Sequence, residues 1–146
     1  MIQLIKWLSI ADRYTKMHLD QQMASLGLNN SQFMYLVKIC KEPGITQDQF
    51  MSYFYIHPSN VTRGIAALVK AGFVVRKKNP DDGRTHCLYP TDKGFSAREK
   101  INAICSAWSS DLLAGLSDKE QADFVALLEK TALRAVALHD EERSSS

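Results

Sequence analysis

Residues 57–68 read His57-Pro58-Ser59-Asn60-Val61-Thr62-Arg63-Gly64-Ile65-Ala66-Ala67-Leu68. Pro58 suits the first position of a helix, because the N–H that proline lacks would have no partner there. Val61, Ile65 and Leu68 then fall at i, i+4 and i+7, which predicts one apolar face. A second face carries Ser59, Thr62, Arg63 and Ala66. Small side chains with a few hydrogen-bonding groups are what a helix needs to lie in the major groove of DNA.

The residues before this helix predict a second, shorter one. Thr46 and Gln49 have the spacing of a capping box, so a helix is expected to begin near Gln47. Its inner face and the turn that follows it would be formed by Phe50, Met51, Phe54, Tyr55, Ile56 and His57. Two short helices joined by such a turn form a helix-turn-helix. An ordinary pair of packed helices has the same spacing, so the next segment decides between the two.

That next segment predicts a β-hairpin. Gly72 is expected to end the helix, and residues 73–78 have the composition of a strand that ends in basic residues. Residues 79–83, Asn-Pro-Asp-Asp-Gly, are a dense turn signal. Residues 84–89 predict the return strand, which Pro90 would close. A hairpin directly after a helix-turn-helix is a wing, which favours DNA binding over an ordinary helix pair.

These segments resemble the MarR family of bacterial winged-helix transcriptional regulators. The resemblance rests on Pro58 to Arg63 with Leu68, on Gly72-Phe73-Val74, on Asn79 to Arg84, and on Thr91-Asp92-Lys93-Gly94. His57 departs from the Asp, Ser or Thr that the family more often has before this helix, and Gly83 is a second departure. The resemblance implies a mainly α-helical winged helix-turn-helix with a small β-hairpin, terminal helices that form a homodimer, and aromatic acids or phenols as effectors.

The composition is that of a globular protein, and the positive charge is concentrated in the predicted winged helix-turn-helix. The 146 residues suggest one domain, residues 1–146, with the winged helix-turn-helix at about 31–90. Residues 57–93 hold seven of the 18 Lys and Arg but three of the 16 acids. Positive charge is therefore concentrated where phosphates would bind. Three widely spaced cysteines, with no signal peptide or membrane span in the sequence, predict a cytoplasmic protein with free thiols.

The flanking segments predict helices at about 1–26 and 91–138. Residues 28–30 form a loop in this prediction, and Ser31 is expected to cap a helix that Pro43-Gly44 stops. Ser117 and Glu120 predict a capping box for the last helix, with fraying from His139. The terminal helices carry more apolar surface than the winged helix-turn-helix can cover. A C₂ dimer would bury it.

Candidate DNA contacts follow from the predicted helix and wing. The base-reading set is Ser59, Asn60, Thr62 and Arg63, although Ser59 and Asn60 could instead hold a phosphate at the helix N-terminus. Lys77 and Lys78 suit phosphates. Arg84 suits a narrow minor groove, and Asp82 would stabilise the wing by pairing with a basic residue. The alternatives are a solvated helix face and a weak surface ion pair.

A small-molecule site is a further expectation. Such a pocket needs an apolar lining with one or two polar anchors. Arg13 is a candidate for a carboxylate, and Tyr14, His18 and Tyr35 are candidates for its surroundings. A surface arginine, a half-buried histidine and tyrosines at the edge of the core would explain the same residues without a ligand.

The sequence favours a DNA-binding repressor at a pseudo-palindromic operator over three other functional classes. A thiol redox regulator would rely on Cys87, since Cys40 and Cys105 lie on apolar stripes and are expected to be buried and inert. A winged helix can also serve protein contacts without DNA. An enzyme is disfavoured, because Cys87 and His86 would point to opposite faces of a strand. No cofactor or metal site is expected, since no nucleotide loop or zinc spacing occurs.

Overall fold

The computed structural model describes residues 2–146, apart from the side chain of Met51. The predicted helix start at Met1 and the predicted inward position of Met51 lie outside the described residues.

The described chain is mainly helical with one small sheet, which confirms the predicted fold class. Its elements are α1 (Ile2–Ala24), α2 (Gln32–Lys41), β1 (Ile45–Thr46), α3 (Gln47–Phe54), α4 (Pro58–Lys70), β2 (Val74–Lys78), β3 (His86–Pro90), α5 (Asp92–Leu113) and α6 (Asp118–Ser144). Helices α3 and α4 with the β2–β3 hairpin are the predicted winged helix-turn-helix.

Helix α2 begins where predicted, but the predicted cap is wrong. The Ser31 side chain makes no capping hydrogen bond. The side-chain oxygen of Asn29 instead accepts from the backbone N–H groups of Ser31 and Gln32, at 3.0 and 2.9 Å. Gln32 returns the bond, since its side-chain oxygen accepts from the Asn29 N–H. The amide reaches two free N–H groups of the first turn, so the cap lies two residues earlier than the sequence suggested.

The two helices of the helix-turn-helix start and stop as their sequence predicts. The capping box of Thr46 and Gln49 forms in both directions. Tyr55 ends α3 in the left-handed region at φ 52°, and this tight reversal allows α4 to begin three residues later. At the other end of α4, Gly72 has φ 82° and its N–H bonds to the Val69 carbonyl, while Phe73 N–H bonds to Leu68. These two bonds close the helix in a Schellman motif.

The sheet has three strands, one more than the hairpin that the sequence predicts. The short strand β1 pairs with β3, with Ile45 opposite Leu88 and Thr46 opposite Cys87. The strand order is β1-β3-β2, all antiparallel. Two residues are too few to show a strand periodicity, so β1 was missed. The return strand also begins at His86 and not at Arg84, since Arg84 belongs to the turn.

The hairpin is joined to α5 through a close backbone approach. The Thr91 hydroxyl donates to the Gly72 carbonyl at 2.6 Å and accepts from the Gly94 N–H, so Thr91 caps α5. An added Cβ at Gly94 would lie 2.3 Å from the Phe73 carbonyl oxygen. Only glycine allows this contact, which seats α5 on the base of the wing.

The chain divides into two compact units, one up to Cys105 and one from Ser106 to Ser146. The first unit holds the buried core, whose fully enclosed side chains include Met23, Leu36, Phe50, Ile65, Leu68, Leu88 and Ile101. The prediction of a single domain over residues 1–146 stays a prediction.

The second unit consists of the end of α5 and all of α6. Ser117 and Glu120 form the predicted capping box, and its hydrogen bonds hold the pKa of the Glu120 carboxyl below its usual value. Helix α6 continues to Ser144, so the predicted fraying from His139 is wrong. No described residue of α6 is buried, although its sequence includes a stripe of leucines. Within residues 2–146, none of the helices has the length and hydropathy required to cross a bilayer.

Candidate nucleic-acid interface

Helix α4 separates the two faces that its sequence predicts. Val61, Ile65 and Leu68 are completely buried, while the polar side chains on the other side are exposed: Ser59, Asn60, Thr62 and Arg63. The apolar face fixes the rotation of the helix, because turning it would bring these three side chains into water. The four predicted base-reading residues are thereby brought together on the solvent side of one helix.

Each of these polar side chains has a partner within the protein. Arg63 donates to the side-chain oxygen of Asn60 one turn earlier. Gln47, the first residue of α3, donates through its amide to the Thr62 hydroxyl at 3.4 Å. The reading face is therefore ordered by hydrogen bonds from within α4 and from α3. The sequence did not indicate Gln47, because Gln47 and Thr62 lie on different helices and come into contact only when α3 packs against α4.

His57 supplies the cap that Asp, Ser or Thr more often supplies. Its ring nitrogen Nδ1 accepts from the Ser59 N–H at 3.2 Å and lies 2.7 Å from the Ser59 hydroxyl. Pro58 follows at the first position of the helix, where no N–H is needed. Two adjacent residues thus satisfy the start of α4.

Gly64 allows α4 to lie directly on α2. An added Cβ at Gly64 would stand 2.4 Å from Cε2 of the Tyr35 ring. That ring is 3% exposed and packs edge-on against Phe50 and Phe54 of α3, with centroids 5.3 and 5.1 Å away. Because Phe50 and Phe54 pack against it, the ring can shift only by disturbing these contacts. Tyr35 therefore sets the distance between α2 and α4.

The wing tip is held by the carboxylate of Asp82. Its Oδ1 accepts from the backbone N–H of Arg84 at 3.0 Å and lies 3.4 Å from the Arg84 Nε. Below it, the Asn79 side chain donates to the Thr85 hydroxyl at 3.1 Å, which ties the two sides of the turn. The Arg84 side chain remains 93% exposed. The turn backbone is therefore fixed while the guanidinium reaches into solvent.

The lysines of β2 point to opposite faces of the hairpin. Lys77 is paired with Cys87 and its ammonium lies 5.0 Å from the Tyr89 ring centroid, so it belongs to that face. Lys78 is paired with His86 on the other face. Both are exposed. Arg84 and His86 share a cavity of about 390 Å³ with Gln47 and Asp48, so the wing tip lies beside the start of α3.

The predicted effector residues do not all meet. Tyr35 lines a cavity of about 540 Å³ whose other walls come from the α1–α2 loop and from α4. Helix α1 contributes Lys16 to this lining, and α4 contributes Asn60 and Arg63. Arg13 and Tyr14 are exposed and lie against each other, 5.6 Å from guanidinium carbon to ring centroid. Neither they nor the half-buried His18 line this cavity.

Tyr35, which lines that cavity, carries a neutral hydroxyl group. Burial raises the pKa of its phenol, so the group keeps its proton at physiological pH. Lys16 is ion-paired with Asp12 at 2.8 Å, whereas Arg63 is bonded to the uncharged Asn60. The cavity therefore offers two cations and several hydrogen-bonding groups, a lining suited to a small anion or phenol.

The thiols are poorly placed for redox chemistry. Burial raises the pKa of the Cys40 and Cys105 thiols, which disfavours the reactive thiolate. Cys87 is buried in β3 while the neighbouring His86 is exposed, so the two lie on opposite faces. No observation on the described residues favours a thiol sensor over a DNA-binding regulator.

Comparison with known proteins identifies the fold and the sequence family. The model of the MarR family matches residues 28–86. The HTH-type transcriptional regulator YkoM of Bacillus subtilis is 30% identical over 109 residues, which cover 75% of this chain and 71% of the relative. The HTH-type transcriptional repressor Rv2887 of Mycobacterium tuberculosis is 25% identical over 108 residues, 74% of this chain and 78% of the relative.

A solved structure has the same fold. A cysteine-to-serine mutant of MarR from E. coli, crystallised in complex with operator DNA, superposes with a TM-score of 0.81. The match covers 89% of this chain and 94% of the E. coli chain at 24% sequence identity.

The contact between Gly64 and Tyr35 yields a stability prediction. Gly64→Ala should destabilise the protein by roughly 1–3 kcal/mol, because the methyl group overlaps a ring that is packed against two phenylalanines. The sign is informative, since glycine to alanine within a helix is ordinarily favourable by up to about 1 kcal/mol. Gly83→Ala is the matched control, because its added Cβ meets nothing within 4 Å. Urea unfolding measures both, and a stabilised Gly64→Ala protein would contradict the described packing.

Proposed function

Because this chain belongs to the MarR family of transcriptional regulators, we propose that it binds double-stranded DNA in a sequence-specific manner and represses transcription. The observation that carries the proposal is the exposed polar face of α4, backed by a completely buried apolar face and flanked by a basic hairpin. The repressor name of the mycobacterial relative and the operator DNA bound to the E. coli protein support the same function.

The proposed contacts divide between bases and phosphates. Arg63 reads a guanine edge, and Ser59, Asn60 and Thr62 read or position neighbouring bases in the major groove. Arg84 enters the minor groove at the wing tip, with Asp82 holding the turn behind it. Lys77 and Lys78 bind phosphates, and their opposite orientations direct them to different parts of the backbone.

The proposed assembly is a homodimer formed by the terminal helices. Helix α1 exposes Ile5 and Trp7 at 65% and 60%, and α6 exposes Leu127 at 63%. Apolar side chains in rows of this kind are expensive to leave in water. A C₂ pair would cover them and would present two copies of α4 to the two halves of a pseudo-palindromic operator.

The proposed regulation is relief of repression by a small aromatic acid or phenol. The cavity that holds Tyr35 supports this, since Lys16 and Arg63 offer charge to a carboxylate and Tyr35 offers a hydrogen bond. Arg63 belongs to both the cavity wall and the proposed DNA contact. An occupant would therefore compete with DNA for the same guanidinium. Such a regulator acts in the cytoplasm and needs no enzymatic activity.

Removing the Arg63 side chain should weaken specific binding. Arg63→Ala is expected to lose roughly 1–3 kcal/mol on the operator and to relax preference at one position per half-site. The measurement is a fluorescence-anisotropy titration on the DNA upstream of the gene and on random duplex, at several salt concentrations. An equal loss on both duplexes would show that Arg63 contacts only phosphate. Arg143→Ala, on α6, is the matched control and should bind both duplexes unchanged.

The apolar terminal helices predict the oligomeric state. Light scattering coupled to size exclusion should give twice the 16.4 kDa chain mass. Trp7→Glu and Leu127→Glu should shift the population toward the monomer, because each places a charge in the buried interface. Val75→Glu changes an exposed apolar residue of the wing and should remain dimeric. A monomeric parent protein would contradict the proposed assembly.

Lys16 and Arg13 separate two locations for the effector. Salicylate should weaken operator binding of the parent protein, and Lys16→Ala should blunt that response while keeping operator affinity. Arg13→Ala is the matched control on the same helix and should respond like the parent. The reverse result would place the site at Arg13, near Tyr14 and His18. A parent protein that ignores salicylate would reject this effector class.

A further inference from the structure

The hydrogen bonds at the start of α4 determine which nitrogen of the His57 ring accepts hydrogen bonds. A backbone N–H can only donate, and the Ser59 N–H is directed at Nδ1 of His57. Nδ1 must therefore carry its lone pair, and the ring proton resides on Nε2. The contact of 2.7 Å between Nδ1 and the Ser59 hydroxyl can then have one polarity. Ser59 donates its hydroxyl hydrogen to His57.

This arrangement limits what Ser59 can offer to DNA. With its hydrogen committed to His57, the exposed hydroxyl oxygen presents lone pairs to solvent. We propose that His57 is a specificity-determining residue that makes Ser59 a pure hydrogen-bond acceptor, so that Ser59 recognises an exocyclic amino group in the major groove. That group is N6 of adenine or N4 of cytosine. The inference rests on the proposed DNA-binding function.

The first test needs no DNA. NMR correlation of the imidazole nitrogens at about pH 8 should show His57 with its proton on Nε2 and an unprotonated Nδ1. His57→Asn should keep a capped helix, because an asparagine oxygen also accepts at this position and has no proton to gain. A proton on Nδ1 in the parent protein at this pH would overturn the inference, whatever the protein does with DNA.

The second test measures base preference. Selection from a randomised duplex library at about pH 8 identifies the preferred site, and each base pair of a half-site is then inverted in turn. One inversion should weaken binding by about fivefold, the equivalent of about 1 kcal/mol for one hydrogen bond. Ser59→Ala should lose that preference. His57→Ala, which leaves the Ser59 hydroxyl hydrogen without its acceptor, should lose or reverse it, whereas His57→Asn should keep it.

Preference ratios, and not affinities, are compared, because a change at the start of α4 can alter binding to every duplex. The inference fails if Ser59→Ala retains every preference, if His57→Ala keeps the preference that Ser59→Ala loses, or if His57→Asn loses it as His57→Ala does. A library that yields no enriched sequence at about pH 8 contradicts the proposed function itself, and this inference with it.

Discussion

The packing of the Tyr35 ring on the backbone of Gly64, which has no side chain, sets the geometry of the winged helix-turn-helix. Phe50 and Phe54 of α3 hold that ring edge-on, so α2, α3 and α4 meet at one aromatic group. Since interiors are close-packed, an added methyl group at this point must displace the ring or a helix. The separation of α2 and α4 and the shape of the adjoining cavity follow from this contact, while the buried apolar face of α4 fixes its rotation.

The polar groups of α4 are engaged before any DNA arrives. Arg63 is bonded to Asn60, Thr62 to Gln47 and Ser59 to His57. Such bonds reduce the rotamer freedom that binding would otherwise have to remove. In the interface that we propose, the bond to His57 also leaves Ser59 to accept, so an internal hydrogen bond contributes to the proposed specificity. The wing follows the same principle, because Asp82 fixes the backbone and leaves the Arg84 guanidinium free to reach outward.

The terminal helices present the opposite situation. No described residue of α6 is buried, and α1 buries Met23 near its end while exposing a row of larger side chains. A long helix with an apolar stripe gains most of its stability from packing that stripe. A second copy of the chain is the partner that we propose for these helices.

Local sequence was enough to determine the helices, the wing and the two faces of α4. Capping boxes at Thr46 and Ser117, the glycine at position 72 and the spacing of Val61, Ile65 and Leu68 are short-range signals, and each produced the expected local structure. Short-range signals were misleading at two places. Asn29 caps α2 in place of Ser31, and α6 continues to Ser144 although its sequence becomes polar from His139.

Tertiary structure decided everything that depends on residues far apart in the chain. The strand β1 exists because Ile45 meets Leu88, and Gln47 matters because it meets Thr62. The cavity is lined by Tyr35, Lys16 and Arg63, whereas Arg13 and Tyr14 lie outside its lining. Periodicity and capping act over one or two turns of chain. Contacts between distant segments depend on how close two backbones can approach, and here a missing Cβ at Gly64 and Gly94 decided that.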